Sequence, residues 1–232
     1  MFKSKVVVSF IMLLCLLFLV FQFNENYWKA DVTRALIVPM IALLYIINVK
    51  RKSTYFTLFL VAFSISDLIT IFSYNIPLDL EYFLGNSLYI TAYLALTYEI
   101  IGSINMKHIL NHFKIHVFIL FVLNIYVNYV LIKIENEYVF GLEFSIELIY
   151  NVFALILLSV SLLNYFYHDD KKALILFLGS MCIVVSEVIQ IAYYYISDKD
   201  LLNVSYSMLL IMAFCFYYYQ SKMDYDEVLI VT

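Results

Sequence analysis

Two carboxyl side chains, Asp67 and Glu187, lie within long apolar stretches of the sequence. They stand in the segments "AFSISD" and "VVSEVIQ", where each directly follows a serine. A charged group inside a membrane is costly, and it usually has either a function or a partner. Two neighbouring carboxyl groups do not readily both ionise, so such a pair can share a proton and act as acid and base. Asp67 and Glu187 are therefore the candidate catalytic residues.

The composition predicts that these residues lie in a membrane. The 232 residues are 65% hydrophobic and 14% charged, with a mean hydropathy of +0.91. A soluble domain is about half apolar and roughly a quarter charged. With a net charge of -4, the chain lacks the excess of basic residues that is typical of nucleic-acid binding. We therefore expect an integral membrane protein with membrane lipids, and no nucleic acid, as its partners.

Eight segments approach the length of about 20 apolar residues that a membrane-spanning helix needs. They are residues 6–23, 32–49, 55–73, 80–102, 115–133, 142–165, 173–195 and 201–220. The first is interpreted as a retained span, because its apolar run is too long for a signal peptide and no A-x-A site follows it. The connecting segments are short and polar, so residues 1–232 are predicted to form a single all-α domain, a polytopic membrane bundle.

The distribution of Lys and Arg predicts the orientation of this bundle. With the N-terminus in the cytoplasm and eight alternating spans, ten Lys and Arg residues fall inside and four outside. Both termini are therefore predicted to be cytoplasmic. The abundance of Ile, Asn, Lys and Tyr hints at an AT-rich bacterial genome, which favours a bacterial inner membrane as the location.

The third and seventh spans are predicted to run in the same direction, from inside to outside. Asp67 and Glu187 then lie at similar depth, roughly 18–21 Å from the cytoplasmic end of their helices. The two segments resemble related elements four spans apart, as in a 4+4 internal repeat. The equal depth predicts that the two carboxyl groups face each other across a polar cavity in the outer half of the membrane.

Further polar residues are expected to position this pair or to line the cavity. Ser66, Ser186 and Gln190 flank the two carboxyl groups and are expected to orient them and a water molecule. Arg34 begins the second span, and its long side chain can extend outward or turn toward the carboxylates; a purely structural role is to neutralise one of them. Glu147 near the outer end of the sixth span is expected to form part of a wet cavity wall.

The remaining ionisable residues suggest no cofactor. His108, His112 and His116 have a helical spacing that could suit a metal, but no carboxylate accompanies them, and a solvated basic loop is the favoured interpretation. Cys15, Cys182 and Cys215 show no paired spacing and are interpreted as buried membrane cysteines.

Short motifs around these residues resemble the YhhN family of eight-helix membrane proteins. The family's "FSxxGD"-like motif reads "AFSISD" here, with Ser66 in place of glycine and Asp67 kept. Its later "GAxxFxxSD" motif is similar to "GSMCIVVSE", in which Glu187 replaces the aspartate.

Two further motifs of the family have counterparts. Its early "KPL" resembles "RAL" at Arg34–Leu36, where arginine replaces lysine and the proline is lost. A Gly-x3-Phe-x3-His pattern appears as Gly85, Tyr89 and Tyr93, so tyrosine replaces histidine. The resemblance covers nearly the whole chain in the number and order of spans.

The characterised members of this family are lysoplasmalogenases, so the resemblance implies a hydrolase that cleaves the vinyl ether bond of a lysophospholipid substrate. The implied site comprises Asp67 and Glu187 as acid and base, with Arg34 and Tyr93 close by. Two other classes remain open on the residues alone. A small proton-coupled carrier also uses buried carboxylates on matched helices, and a structural or sensory membrane protein uses polar groups to join its helices.

The topology is testable with reporter fusions. Reporters fused at Thr232 and in the loop at Glu135–Glu137 should report opposite sides of the membrane, because an odd number of predicted spans separates the two positions. Finding both reporters on the same side would rule out the arrangement with eight spans.

Overall fold

The computed structural model describes residues 2–75, 77–135 and 141–223, and every regular element in these ranges is helical. Ten α-helices follow one another: α1 Phe2–Phe23, α2 Tyr27–Ala35, α3 Ile37–Asn48, α4 Thr54–Ile69, α5 Leu78–Ser103, α6 Met106–His112, α7 Lys114–Glu135, α8 Leu142–His168, α9 Lys171–Tyr195 and α10 Asp200–Ser221. A 3-10 helix, Thr70–Asn75, continues α4. The predicted all-α class is confirmed.

The lengths and composition of the described helices support a multi-pass membrane protein. Seven helical segments are long and apolar enough to cross a membrane, and the number rises to eight if α5 and α6 together form one bent span. These two helices meet at an angle of 78°, where Ile104 is extended and Asn105 caps α6. The two reporter positions proposed above, in residues 135–137 and at 232, fall on or beyond the edges of the described ranges, and the orientation stays a prediction.

The second span differs from its predicted range of 32–49. Helical structure begins at Tyr27 and is divided at Leu36 into α2 and α3. Pro39 explains the division, because its ring has no N–H and clashes with the carbonyl of the residue four positions earlier, Ala35, where α2 ends. Arg34 consequently lies in the last turn of α2, one helical break away from the apolar α3, instead of at the start of the span.

Polar caps define one end of the bundle. Ser53 accepts from the backbone N–H of Phe56 at the start of α4, and Asp170 accepts from that of Ala173 at the start of α9. The same end holds Lys50–Lys52, Lys107 and Lys171–Lys172, and we call it the basic end. It is the end that the sequence predicts to be cytoplasmic; the opposite end is called the outer end.

The helices that carry the candidate residues pack directly together. α5 lies between α4 and α8, and α9 lies between α8 and α10. Their core contains an aromatic cluster in which Phe59 of α4 stacks on Phe214 of α10, with ring centroids 5.5 Å apart, and Phe63 and Tyr217 pack edge-on. In contrast, α7 is peripheral, and 6% of its apolar window is buried.

A polar contact joins the first helix to the last at the outer end. Gln22 of α1 is completely buried. Its Nε2 donates to Oδ1 of Asp200 at 2.6 Å, and its Oε1 accepts from Nδ2 of Asn203 at 3.2 Å. The amide is therefore satisfied by α10, and this contact joins the first described helix to the last.

Gly179 provides a test of the contact between α9 and α10. A methyl group at this position would lie 2.9 Å from Cε1 of Tyr217. This ring cannot easily move, because it is fully buried and its hydroxyl contacts Ser180 Oγ at 3.0 Å. Gly179→Ala should therefore lower the free energy of unfolding by about 1–3 kcal/mol, measured by thermal unfolding in detergent.

The matched control is Gly102→Ala, because no heavy atom lies within 4 Å of the added methyl group there. Alanine is the better helix former, so this variant should gain up to about 1 kcal/mol. Equal stabilities for the two variants would contradict the packing of Tyr217 on Gly179.

Candidate functional site

Two tyrosines on α5 hold the two predicted carboxyl groups. The hydroxyl of Tyr89 donates to Oδ1 of Asp67 at 2.7 Å, and the hydroxyl of Tyr93 donates to Oε1 of Glu187 at 2.9 Å. Residues four apart on a helix share one face. Asp67 of α4 and Glu187 of α9 therefore lie against the same face of α5, one turn apart.

Both carboxyl groups are buried, with Asp67 8% and Glu187 9% exposed. The tyrosines that hold them are one turn apart on α5, so the two carboxyl groups lie close together. The structure thus brings the two predicted acid/base residues into one site, where little solvent reaches them and where charge on one carboxyl affects the other.

A third tyrosine, contributed by α8, completes this arrangement. The hydroxyl of Tyr150 lies 3.2 Å from that of Tyr93, and Tyr150 also faces Glu187. Tyr93 matches the family pattern described above, whereas no motif in the sequence predicted a role for Tyr150. The sequence signal was weak, since a tyrosine within an apolar helix such as α8 can be a buried hydroxyl or one at the membrane interface.

The two serines bond to the backbones of neighbouring helices instead of contacting the carboxyl groups directly. Ser66 Oγ donates to the carbonyl of Gly85 on α5 at 2.9 Å, and Ser186 Oγ donates to the carbonyl of Tyr206 on α10 at 2.8 Å. Each serine therefore joins the helix that carries a carboxyl group to its neighbour. Gln190 lies half-buried on α9, about one turn beyond Glu187.

Arg34 turns toward the outer-end side of the bundle. Within the described residues its one ion pair is with Asp31, at 3.9 Å between Nη2 and Oδ1. Its guanidinium lies over the ring of Tyr206, 5.3 Å from the centroid. It interacts electrostatically with Asp67, and its buried Nε has no hydrogen-bond partner. Arg34 is thus near the site, but it does not form a direct ion pair with Asp67 or Glu187.

A cavity of about 370 Å³ opens beside Tyr89, and we call it the outer cavity. Its wall includes Ser66 and Thr70 from the α4 side, Tyr82, Gly85 and Tyr89 from α5, and Glu143 from α8. Glu147 accepts from the hydroxyl of Tyr82 at 2.6 Å, at the edge of this region. Glu147 was expected to be part of a wet cavity wall, but the α8 residue that lines this cavity is Glu143, and Glu147 reaches the cavity through its bond with Tyr82.

The three histidines lie far from this site in the chain, at the basic end. The rings of His108 and His112 stack with centroids 4.0 Å apart on α6, and His116 packs edge-on against Phe166. Among the described residues, no group of three or more His, Cys, Asp or Glu side chains is arranged to hold a metal ion.

No protein-family model, curated protein or solved structure matches this chain. The function of the site is therefore inferred from its own geometry and from the motifs that resemble the YhhN family.

The pairing of tyrosines with carboxyl groups is testable by double-mutant cycles. Tyr93→Phe combined with Glu187→Leu, and Tyr89→Phe combined with Asp67→Leu, should each show a coupling free energy of about 1 kcal/mol in thermal unfolding, because each pair shares a hydrogen bond.

The swapped combinations serve as controls. Tyr93→Phe with Asp67→Leu and Tyr89→Phe with Glu187→Leu should show markedly smaller coupling, since those groups share no direct bond. Equal coupling in all four combinations would contradict the assignment of one tyrosine to each carboxyl group.

Proposed function

We propose that this protein is a membrane-embedded hydrolase of the lysoplasmalogenase type, which cleaves the vinyl ether bond of a lysophospholipid with water. The observation that carries the proposal is the pair of buried carboxyl groups, Asp67 and Glu187, held against one face of α5 by Tyr89 and Tyr93. The motifs that resemble the YhhN family contain both carboxyl residues.

The chemistry needs one acid and one base within the same site. A protonated carboxyl group donates its proton to the enol-ether carbon, which leaves an oxocarbenium ion. The other carboxylate stabilises this cation and removes a proton from the attacking water. In the hemiacetal that results, the bond between the former vinyl carbon and the glycerol oxygen breaks: the carboxyl group that took the proton from water donates it to the leaving glycerol oxygen, and the other carboxylate takes the hemiacetal hydroxyl proton. The products are a fatty aldehyde and a glycerophospho-alcohol, and both carboxyl groups return to their starting protonation states.

The groups around the carboxyl pair give water access to it and fix the orientation of Glu187. The outer cavity reaches Tyr89, whose hydroxyl is bonded to Asp67, so water in this cavity has a short route to the carboxyl pair. Tyr93 and Tyr150 fix the orientation of Glu187. These bonds hold the reacting groups in place before the substrate binds, which lowers the cost of reaching the transition state.

Arg34 is proposed to bind the phosphate of the lipid. Guanidinium groups match phosphate oxygens in geometry and charge. The buried Nε of Arg34 has no hydrogen-bond partner and is a donor that a phosphate oxygen would satisfy. Ser66, Ser186 and Gln190 are positioning residues in this proposal. The two serines bond to neighbouring helices, and Gln190 lies beside Glu187.

The test is aldehyde release from vinyl-ether lysolipids by the purified protein in detergent. Glu187→Gln and Asp67→Asn keep the side-chain shape but remove the titratable group, so each should reduce turnover by about 10²–10⁴-fold. The double variant should be little worse than either single variant, because the pair works as one unit. Glu187→Asp should retain measurable turnover, since it keeps a carboxyl group.

Asp198→Asn is the control, because it removes a carboxylate from the exposed connection between α9 and α10. It should leave turnover at the parent rate. A well-folded Glu187→Gln protein with full activity would show that Glu187 is structural, and a parent protein without activity on any vinyl-ether lysolipid would refute the proposal.

A proton-coupled carrier is the second candidate. It is favoured by the position of Glu187 between two cavities along α5. The outer cavity is lined on α5 by side chains between residues 81 and 89, Tyr93 holds Glu187, and side chains between residues 96 and 103 line a further cavity at the basic end. Buried carboxyl groups between two polar cavities suit a proton-coupled pathway. Proton flux into proteoliposomes that depends on Glu187, without aldehyde release, would favour the carrier over the hydrolase.

A further inference from the structure

A second polar cavity lies at the basic end of the bundle, and we call it the basic-end cavity. It has a volume of about 180 Å³ and is formed by parts of α3, α4, α5, α8, α9 and α10. On α5 it is lined by Leu96, Glu99, Ile100 and Ser103, whereas the outer cavity is lined by side chains between residues 81 and 89 of the same helix. The two cavities are therefore separate sites at different depths.

The wall of the basic-end cavity changes from apolar to polar along α5 and α9. Leu96 of α5 and Leu176 of α9 lie deeper in the bundle than Ser103 and Lys172, which are close to the ends of these helices. Phe56 adds to the apolar floor. A group that fills this cavity has its polar part at the mouth and its less polar part below.

The mouth lies at the depth of lipid headgroups. The 26 residues of α5 extend about 39 Å, while a bilayer measures about 30 Å across its hydrocarbon core and 40–45 Å with its headgroup layers. The last turn of α5, which contains Ser103, therefore reaches the interface. Ser103 Oγ lies 3.0 Å from Asn164 Oδ1 there, and His168 Nε2 donates to the Ser103 carbonyl at 3.2 Å.

The cavity contains charges of both signs. Arg51 and Lys172 contribute positive charge, and Glu99 and Asp170 contribute negative charge. Asp170 already caps the N-terminus of α9, because its Oδ1 accepts from the backbone N–H of Ala173 at 2.6 Å. Glu99 accepts from Ser53 Oγ at 2.5 Å. A carboxylate has about four acceptor positions, so Glu99 keeps capacity for a further donor.

We propose that the basic-end cavity binds a phosphoethanolamine group, with the ammonium on Glu99 and the phosphate on Arg51 and Lys172. A carboxylate is the natural partner of an ammonium, and a guanidinium is that of a phosphate. This zwitterion needs both signs of charge within one compact site, which is what this cavity offers. The proposal does not depend on the vinyl-ether activity, since it involves none of the groups in the carboxyl pair.

Two sources could supply this group, and they are distinguished by the presence of acyl chains. One is phosphatidylethanolamine in the adjoining leaflet, and the other is water-soluble glycerophosphoethanolamine. The purified full-length chain, stripped of lipid in detergent, is heated with dioleoyl phosphatidylethanolamine, with glycerophosphoethanolamine, or with dioleoyl phosphatidylglycerol, which has the phosphate but no amine.

At about a hundredfold excess over its dissociation constant, a bound ligand should raise the midpoint of thermal unfolding by on the order of 5–10 °C. The parent should show this shift with at least one of the two ethanolamine compounds. A shift with the lipid alone identifies the membrane as the source, and a shift with the soluble compound identifies recognition of the headgroup itself. Glu99→Gln and Arg51→Gln should each lose most of the shift.

Lys114→Gln is the matched control, because it removes an exposed positive charge at the same end of the bundle, outside the cavity. It should keep the full shift. Arg51 is exposed in the connection between α3 and α4, so its variant should fold even if Glu99→Gln does not. An equal shift with phosphatidylglycerol, an undiminished shift in Arg51→Gln, or no shift in the parent with either ethanolamine compound would overturn the proposal.

Discussion

A carboxyl group inside a bilayer needs hydrogen-bond donors from the protein, because no bulk water is present to supply them. Asp67 and Glu187 obtain these donors from tyrosine hydroxyls on α5, with Tyr150 of α8 alongside. This requirement explains why α4, α5, α8 and α9 pack together. Because Tyr89 and Tyr93 are one turn apart, a shift of α5 by one turn would leave one of the two carboxyl groups without its tyrosine, so the pair of bonds favours one position of α5 along its axis.

The serine contacts reinforce the same arrangement from the other side of each carboxyl residue. Ser66 and Ser186 directly precede Asp67 and Glu187, and consecutive residues on a helix point about 100° apart. Each serine can therefore reach the backbone of one neighbouring helix while the carboxyl group reaches another. The recurring Ser-acid pair in "AFSISD" and "VVSEVIQ" is thus explained by geometry: one side chain joins two helices and the next faces the site.

The features that follow from hydropathy and helical rise could be predicted from the sequence. The multi-pass helical class and the shared site of Asp67 and Glu187 are of this kind, since depth in the membrane depends on counting residues along parallel spans. The break at Leu36 could also be predicted from the sequence, because Pro39 excludes a regular helix through Ala35. The span ranges near this break were nevertheless misplaced, as apolar length alone does not locate a helix start.

Rotation of a helix about its own axis was harder to predict. Tyrosine is abundant in this chain and is typical of membrane interfaces. The sequence therefore does not distinguish the buried hydroxyls of Tyr89 and Tyr150 from those that face headgroups. The direction of Arg34 was open for a similar reason, because a long flexible side chain can reach several partners; its position over Tyr206 depends on how α10 packs.

The contact of Gln22 with α10 has a consequence for how the chain matures. The partners of this amide, Asp200 and Asn203, follow it by 178 and 181 residues. A ribosome delivers α1 to the membrane long before α10 exists, so during that interval Gln22 must use water, lipid headgroups or other protein groups at the outer surface. The first helix can therefore reach its final environment only when the last has been inserted, so the contact between α1 and α10 is among the last in the bundle to form.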